Sequence, residues 1–270
     1  MEKMKALVIR SYGGTDVLAM EMVPVPSISD NEVLVKVHAA GVNPLDWKVR
    51  AGYLKEMLPY EFPLILGWDL SGTVEKAGSG VSGLKIGDEV FGLADITRNG
   101  ACAQFIAVRA DTVAIKPSSL DHIQAASIPM GALTAWQALF DVAGLVGGQR
   151  VLVHAAAGGV GSMAVQLAKD WGAHVIGTAS GPNREFVLGL GAEDVVDYTA
   201  GPFENSVFDV DVVLDAMGGS VQDRSWQTLR RGGILVSLLG PPDESKAAGL
   251  GVRGAGAFVQ PNAEQLTAIA

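Results

Sequence analysis

The segment 151–162 constrains the fold more than any other stretch of this sequence. It reads VLVHAAAGGVGS, an apolar run followed by small residues. The apolar run predicts a buried strand, and Met163, Leu167 and Trp171, spaced by four residues, predict a helix after it. A small-residue loop between a strand and a helix is the context of a dinucleotide fingerprint, although Ala156 replaces its first glycine.

This loop is expected to hold the pyrophosphate of a dinucleotide cofactor. Gly158 would let the backbone approach the phosphates, and Gly161 would let the helix pack close to the strand. The free N–H groups of the first helical turn would then face the negative charge. The expected binding residues are Ala157, Gly158, Gly159, Val160 and Gly161. The alternative is that the loop is only a tight turn between a strand and a helix.

A missing carboxylate indicates which dinucleotide binds. NAD sites usually place an Asp or Glu about 20 residues after the loop, where it binds the ribose 2′-hydroxyl. No Asp or Glu occurs between Trp171 and Arg184. Ser180 and Arg184 could instead hydrogen-bond a 2′-phosphate, Arg184 with the assistance of its charge. The sequence therefore favours NADPH. The alternative for Arg184 is an ordinary solvated helix residue.

The first part of the chain has the pattern of short strands. Val33, Val35 and Val37 recur at every second position, which predicts a strand with one buried face. Gly, Asn and Asp residues separate further runs of strand length. We therefore expect a β-rich domain over residues 1–120.

From about residue 121 onwards, strands alternate with helices. The predicted strands are Arg150–His154, His174–Thr178, Val195–Tyr198, Asp211–Asp215 and Gly233–Leu238, and the predicted helices are Asp121–Ser127, Thr134–Val142, Ser162–Trp171, Asn183–Leu190 and Val221–Arg230. Short strands that are apolar on both faces are typical of a parallel sheet covered by helices on both sides. We expect a doubly wound α/β domain over residues 121–270. The chain ends inside a helical pattern without a stop signal, which predicts an incomplete C-terminus.

Composition and charge argue against several kinds of partner. The chain has 20 Lys and Arg against 29 Asp and Glu, a net charge of −9, which disfavours nucleic acid and anionic membranes. Cys102 is the only cysteine, so no intrachain disulfide can form and a reducing compartment is indicated. The sequence has no secretory signal and no apolar run long enough to span a membrane. We therefore expect a cytoplasmic protein.

Five stretches of the sequence, spread over most of its length, carry a resemblance to a known family. They are AGVNPLDWK at 40–48, LGWDLSG at 66–72, GDEVFG at 87–92, LTAWQAL at 133–139 and the glycine loop itself. With these stretches the chain resembles the medium-chain dehydrogenase/reductase superfamily. Within it, the chain is similar to the zinc-free quinone oxidoreductase, or zeta-crystallin-like, and enone reductase branch.

The resemblance implies both an architecture and further site residues. It implies a GroES-like β-rich catalytic domain, a Rossmann domain, NADPH in the cleft between them, and a homodimer. It places Thr134 near the nicotinamide and Tyr198 beside the adenosine phosphate, although either could instead be a packing residue. In such relatives a final segment returns to the catalytic domain, and this chain is expected to lack that segment.

A zinc site is not expected in this chain. The resemblance places Asn43 and Trp68 where zinc-dependent relatives carry a cysteine and a histidine ligand. A catalytic zinc needs three protein ligands, and the four histidines show no paired ligand spacing, so they are expected to be structural. Asp46 and Asp69 could form a carboxylate pair, but Asp69 is expected rather to anchor a backbone group or a basic side chain.

Conjugate reduction is the reaction that a metal-free site can stabilise most easily. Hydride from C4 of NADPH would add to the β-carbon of an enone or to a quinone ring. Asn43 and Lys48, which flank a turn expected at Pro44–Leu45, are the expected donors to the resulting oxygen, and Lys48 could also supply the proton. Typical quinone oxidoreductases carry a tyrosine at the place of Lys48, so the lysine favours enones. The alternative for Lys48 is a solvated helix lysine.

Two other functions stay open on the sequence alone. The first is an NADPH-dependent reductase of simple ketones or aldehydes. The second is an NADPH-binding sensor or partner protein without significant turnover, which the expected absence of the returning segment would favour.

Overall fold

Two compact units make up the computed structural model, which describes residues 2–270. The first unit contains the chain up to Met130 together with the last segment, Pro261–Ala270, and the second contains Gly131–Gln260. The division lies later in the chain than the expected boundary at residue 120. The reason is that the helix His122–Ala126 packs on strands of the first unit.

Two antiparallel sheets form the first unit. The smaller sheet has the order β2-β1-β4 and consists of β1 (Lys3–Ile9), β2 (Ala19–Pro24) and β4 (Leu64–Ile65). The larger sheet has the order β7-β3-β5-β6-β8 and consists of β3 (Glu32–Gly41), β5 (Asp69–Ala77), β6 (Glu89–Leu93), β7 (Phe105–Arg109) and β8 (Val113–Ile115). The helices of this unit are α1 (Pro44–Arg50), α2 (His122–Ala126) and α8 (Ala263–Ile269). The β-rich character of the first part of the chain is confirmed.

The strand β3 is buried on both faces at its beginning. Val33, Leu34 and Val35 are each at most 2% exposed. The prediction of a single buried face is therefore wrong for these residues, because other parts of the unit cover both sides of this central strand. Lys36 is exposed and lies beyond the fully buried stretch.

A six-stranded parallel sheet forms the centre of the second unit. Its strands are β9 (Arg150–Val153), β10 (His174–Ala179), β11 (Asp194–Asp197), β12 (Val210–Asp215), β13 (Leu229–Ser237) and β14 (Arg253–Gly256). They lie in the order β11-β10-β9-β12-β13-β14, and every neighbouring pair is parallel. This order is that of the Rossmann fold, so the predicted doubly wound architecture is confirmed. The helices are α3 (Pro129–Trp136), which begins at the boundary, α4 (Gly159–Asp170), α5 (Arg184–Gly189), α6 (Gly219–Ser225) and α7 (Glu244–Ala248).

The central strand β9 shows why this sheet is covered on both sides. Val151, Leu152 and Val153 have no exposed surface. Val151 and Val153 belong to one apolar cluster together with Val165 of α4. Leu152 points to the other face and belongs to a second cluster that contains Trp226. The alternation places one apolar layer on each side of the sheet, which the short apolar runs predicted.

Two helices differ in extent from their predictions. The predicted helix Val221–Arg230 ends earlier, with α6, because Leu229 begins β13 and pairs with Val210 of β12. The predicted helix Thr134–Val142 begins earlier, with α3, and its second half, Gln137–Val142, is a π-helix. In the first case a strand pairing distant in sequence outweighs the local apolar spacing.

The last ten residues, Pro261–Ala270, belong to the first unit. Their helix, α8, contacts β8, and Leu266 of α8 is fully buried. The expectation that no segment returns to the first domain is therefore corrected for these residues. Among residues 2–270, no helix has the length and apolar character that a membrane span requires.

Candidate functional site

A crevice of about 400 Å³ lies at the carboxyl ends of the parallel strands in the second unit. The residues that line it come from the end of β10 and from the segments that follow β9, β10, β11 and β12. They are His154, Ala155, Ala157, Gly158, Thr178, Ala179, Ser180, Asn183, Tyr198, Phe203, Met217, Val221 and Arg224, and we call this site the glycine-loop crevice. Ligands of open α/β sheets bind at this edge.

The loop between β9 and α4 supplies one wall of the glycine-loop crevice. Ala157 and Gly158 line the crevice, and α4 begins directly after Gly158. A Cβ on Gly161 would overlap the carbonyl oxygen of Ala155, so the helix can lie this close to the loop only with glycine there. A Cβ on Gly159 would meet no atom within 4 Å. A loop that ends in small residues and the free N–H groups of a twelve-residue helix together fit a pyrophosphate.

Ser180 lies directly after β10 and lines the glycine-loop crevice, as predicted for a residue near the ribose. Its hydroxyl accepts a hydrogen bond of 3.0 Å from Nδ2 of Asn183. No carboxylate is among the crevice-lining residues in the described part of the chain. A 2′-phosphate at this edge would therefore meet no like charge from the lining.

Two arginines differ in their relation to the glycine-loop crevice. Arg184, the predicted partner of the 2′-phosphate, is not among the lining residues, and its Nη1 lies 3.2 Å from Oε1 of Glu185. Arg224 on α6 does line the crevice; its Cζ lies 5.3 Å from the ring centroid of Phe203 and its Nη1 lies 3.6 Å from Glu204. Sequence reasoning missed Arg224. The signal available was topological, because α6 follows β12, the neighbour of β9 in the sheet.

His154 forms part of the crevice and is almost fully buried. Its Nδ1 lies 3.1 Å from Oγ1 of Thr178 and its Nε2 lies 2.8 Å from Oγ of Ser225, so it connects the end of β10 to α6. Burial lowers the pKa of this imidazole to about 4, and the nearby Asp215 opposes that effect. The ring is therefore neutral at pH 7 and acts as a structural bridge, as expected for a strand histidine.

The two remaining cofactor residues of the prediction lie on different elements. Tyr198 follows β11, lines the glycine-loop crevice and is 57% exposed, so its ring and hydroxyl face an open space. Its backbone N–H donates to the carbonyl oxygen of Ala179 at 3.2 Å. Thr134 is half-buried on α3 and is not among the lining residues of the crevice. The structure thus brings Tyr198, but not Thr134, to the same cavity as the glycine loop.

Asn43 in the first unit is the residue that precedes α1. Its backbone N–H donates to Oδ2 of Asp46 at 2.5 Å, and its Nδ2 donates to Oδ2 of Asp69 at 2.9 Å. The prediction of a turn at Pro44–Leu45 is wrong, because Pro44 is the first residue of helix α1. Proline is favoured at this position because the first helical residue needs no partner for a backbone N–H. We call Asn43, Asp46 and Asp69 the Asn43 cluster.

The two carboxylates of the Asn43 cluster are buried and hydrogen-bonded. Asp46 accepts a second bond from the backbone N–H of Gly67 at 2.9 Å, and Asp69 accepts one from the backbone N–H of Met130 at 2.9 Å. The pKa of Asp69 is raised to about 7, mainly by burial and to a smaller extent by the charge of Asp46, although the hydrogen bonds from Asn43 and Met130 act to lower it. Burial also raises the pKa of Asp46. The expectation that Asp69 anchors a backbone group agrees with its bond to Met130.

Lys48 lies on α1, one turn after Asn43, and is half-buried. Its Nζ is 6.0 Å from the ring centroid of Trp47, at the outer limit of a cation–π contact. Trp47 in turn packs edge-on against Tyr53, with 5.6 Å between ring centroids. Asn43 thus lies immediately before α1 and Lys48 lies within it, with an aromatic pair beside the ammonium group.

Two positions of this chain correspond to zinc ligands in zinc-dependent relatives, and neither offers a zinc ligand here. Trp68 is fully buried and its Nε1 donates to the carbonyl oxygen of Arg98 at 3.0 Å, so it is a core residue. Asn43 offers an amide that is already bonded to Asp69. Across residues 2–270, no group of three or more His, Cys, Asp or Glu side chains is placed to hold a metal ion.

Comparisons with known proteins match both units. Residues 29–133 match the model of the alcohol dehydrogenase GroES-like domain, and residues 159–252 match the model described as zinc-binding dehydrogenase. The chain is 40% identical over 265 residues to the mitochondrial NAD(P)H oxidoreductase RTN4IP1 of Danio rerio, a match that covers 88% of this chain and 67% of that protein. It is also 40% identical over 248 residues to the chloroplastic NADPH-dependent alkenal/one oxidoreductase of Arabidopsis thaliana, covering 88% of this chain and 63% of that protein.

Solved structures match as well. The quinone oxidoreductase from Coxiella burnetii superposes with a TM-score of 0.91 at 37% identity, covering 99% of this chain and 86% of that one. This chain spans about two thirds of the length of the two curated relatives named above. The order of the two matched domains, the Rossmann strand order and these identities agree with one another. The chain belongs to the medium-chain dehydrogenase/reductase superfamily, in its quinone oxidoreductase and enone reductase branch.

Proposed function

We propose that this chain is an NADPH-dependent oxidoreductase that reduces a quinone or an α,β-unsaturated carbonyl compound without zinc. The observation that carries the proposal is the glycine-loop crevice, which combines a glycine-lined helix N-terminus with a lining free of carboxylates among the described residues. The names of the relatives support it, since they describe NAD(P)H, alkenal/one and quinone oxidoreductases.

The proposed cofactor residues bind the different parts of NADPH. The backbone of Ala157, Gly158, Gly159, Val160 and Gly161 would hold the pyrophosphate, because N–H groups at a helix start bind phosphate. Ser180, Arg184 and Tyr198 would bind the adenosine ribose and its 2′-phosphate, and Thr134 would lie at the nicotinamide. Held by these residues, NADPH would supply a hydride.

The proposed chemical role of this chain is to stabilise negative charge on the substrate oxygen. When hydride adds to the β-carbon of an enone, charge develops on the carbonyl oxygen, and donors aimed at that oxygen lower the barrier. Nδ2 of Asn43 has a second N–H besides the one bonded to Asp69, and the ammonium of Lys48 belongs to α1, the helix that follows Asn43. Lys48 would also deliver the proton that completes the reduction.

Zinc independence is part of the proposal and rests on the donor set. A catalytic zinc needs three protein ligands from Cys, His or carboxylate. The indole nitrogen of Trp68 has no lone pair that could coordinate zinc, and it donates a hydrogen bond to Arg98. The side-chain amide of Asn43 donates a hydrogen bond to the Asp69 carboxylate. Hydrogen-bond donors, rather than a Lewis acid, are therefore proposed to stabilise the oxygen.

Substrate class is tested by following NADPH oxidation with a quinone, an alkyl vinyl ketone and a simple saturated ketone. Reduction of the first two and not of the third is the expected result. Preference for the simple ketone would favour the carbonyl reductase alternative. Tight NADPH binding with no turnover of any of the three would contradict the proposal and favour the alternative of an NADPH-binding sensor or partner protein.

The cellular location and the oligomeric state of the protein are separate proposals. We propose a cytoplasmic homodimer. The location is proposed because a single cysteine, Cys102, suits a reducing compartment, and the dimer because the family resemblance implies it. The relatives that match here are described as mitochondrial or chloroplastic. Cell fractionation tests the compartment, and light scattering after size-exclusion chromatography tests the dimer; organelle enrichment or a monomer mass would contradict these proposals.

A further inference from the structure

The Asn43 side chain is held by a carboxylate whose other oxygen is also occupied. Asp69 is the first residue of β5 and is 1% exposed. Its Oδ2 accepts from Nδ2 of Asn43, and its Oδ1 accepts from the backbone N–H of Met130, each at 2.9 Å. The backbone of Asn43 is fixed separately, by the bond from its N–H to Asp46. Both the main chain and the amide of Asn43 are therefore restrained.

Glycine at position 41 makes this close arrangement possible. A Cβ on Gly41 would lie 2.8 Å from Cβ of Asp69 and would overlap the carbonyl oxygen of Ala126. Any larger residue would push β5 or α2 away from the strand that leads to Asn43. The local packing thus brings the Asp69 carboxylate and the Asn43 amide within hydrogen-bonding distance.

The chemistry of a carboxylate decides which edge of the amide faces it. An ionised carboxylate accepts hydrogen bonds and cannot donate one, whereas an amide has a donating nitrogen edge and an accepting oxygen edge. Asp69 therefore selects the nitrogen of Asn43. A neutral partner that both donates and accepts would allow the amide to turn over, and its oxygen would then replace the nitrogen.

We propose that Asp69 is a positioning residue, which holds the amide of Asn43 so that the remaining N–H of Nδ2 is directed at the substrate oxygen. This inference rests on the proposed function, because it assigns Asp69 to the donor Asn43. Asp69 itself is buried and acts only through Asn43. Replacing it by asparagine retains an acceptor for Met130 but supplies a donor that bonds the oxygen edge of Asn43, so the amide is no longer held in one orientation.

The orientation is expected to depend on pH near neutrality. Burial raises the pKa of Asp69 to about 7, and Asp46 is the other titratable group that acts on it, also upward. Below that pH the protonated carboxyl can donate to the oxygen of Asn43, and its selection of the nitrogen edge is lost. We therefore expect kcat to decline as the pH falls below about 7.

A double-mutant cycle between Asp69→Asn and Asn43→Ala tests the inference. We expect D69N to lower kcat about tenfold through loss of alignment, to leave the Kd for NADPH within about twofold, and to flatten the pH profile around 7. In the N43A background, adding D69N is expected to change kcat less than about twofold, because the residue it positions is gone. An equal effect of D69N in both backgrounds would overturn the inference.

A second measurement decides the matter independently of turnover. The side-chain amide signals of Asn43 are identified in ¹⁵N-labelled protein by their absence from the N43A variant. We expect these signals to shift with pH in the unsubstituted protein, with a midpoint near 7. Signals that do not move between pH 5.5 and 8.5 would overturn the inference even if D69N failed to fold. If the unsubstituted protein reduces no enone or quinone, the proposed function fails, while this titration still tests the contact.

Discussion

A Cβ on Gly161 would overlap the carbonyl oxygen of Ala155, so α4 can start this close to the end of β9 only because position 161 is glycine. The two residues thereby set the distance between the helix N-terminus and the loop that forms the wall of the crevice. We therefore expect this contact to affect both the stability of the second unit and the proposed binding of the cofactor.

Substitution of Gly161 by Ala is expected to lower the free energy of unfolding by about 1–3 kcal/mol and to weaken NADPH binding, because α4 must move away from the loop. Gly189→Ala is the matched control, since a Cβ there would meet no atom within 4 Å. Urea denaturation and a fluorescence titration with NADPH measure both effects. Equal stability and affinity of the G161A and G189A variants would contradict the close packing described here.

Replacement of Arg184 by Ala is expected to reduce the preference for NADPH over NADH about tenfold. The exposed pair with Glu185 is weak, so the guanidinium can leave it for a 2′-phosphate. Arg224→Ala serves for comparison: Arg224 lines the crevice itself, so its loss is expected to weaken both cofactors alike. For each variant, calorimetry gives the ratio of the Kd for NADH to the Kd for NADPH. An unchanged ratio in R184A would show that Arg184 does not bind the 2′-phosphate.

Removal of the Lys48 ammonium by Lys48→Ala is expected to lower kcat for an enone about 100-fold, because a positioned proton donor contributes on the order of 10²–10⁴ in rate. Affinity for NADPH is expected to stay within about twofold, since Lys48 lies in the first unit and the glycine-loop crevice in the second. Lys48→Arg retains the charge and serves as a control. Parallel losses of rate and NADPH affinity in K48A would argue against this role.

Acidification is expected to destabilise the second unit through His154. Burial lowers the pKa of His154 from 6.5 to about 4 in the folded protein, so the unfolded chain binds the proton more tightly. The stability due to the neutral ring is therefore complete above about pH 6.5 and is lost progressively as the pH falls towards 4, by about 3 kcal/mol in total.

The variant His154→Gln isolates this effect, because glutamine retains hydrogen-bonding groups but does not titrate in this range. The difference in unfolding free energy between the unsubstituted protein and H154Q is measured by urea denaturation at several pH values. We expect the difference to shrink by about 3 kcal/mol between pH 7.5 and 4. A difference that stays constant would show that His154 is not held neutral by burial.

The second unit could be predicted from sequence in most of its elements. Strands such as β9 are short and apolar on both faces. Their pairing in the sheet agrees with the secondary structure that this local pattern predicts. The end of α6 could not be predicted, because Leu229 continues the apolar spacing of a helix while its pairing with Val210 makes it part of β13. Local periodicity cannot reveal a partner strand 19 residues earlier in the chain.

The site was predictable where one segment contains all its parts. The glycine loop is such a segment. The role of Asn43 and Lys48 is implied by the family resemblance and stays a prediction. Arg224 and the bond between Asp69 and Asn43 depend on side chains that meet only after folding, over 26 residues of separation in the second case. Neither contact has a local sequence pattern, so only the structure reveals them.

Calorimetric titration with NADPH, on protein dialysed against a chelator and analysed for zinc, tests the central claim most directly. We expect stoichiometric binding of NADPH, tighter than that of NADH, with enone reduction intact and no stoichiometric zinc in the protein. Absence of NADPH binding would contradict the account. So would activity that is lost when the chelator removes a bound zinc ion and that returns when zinc is added back.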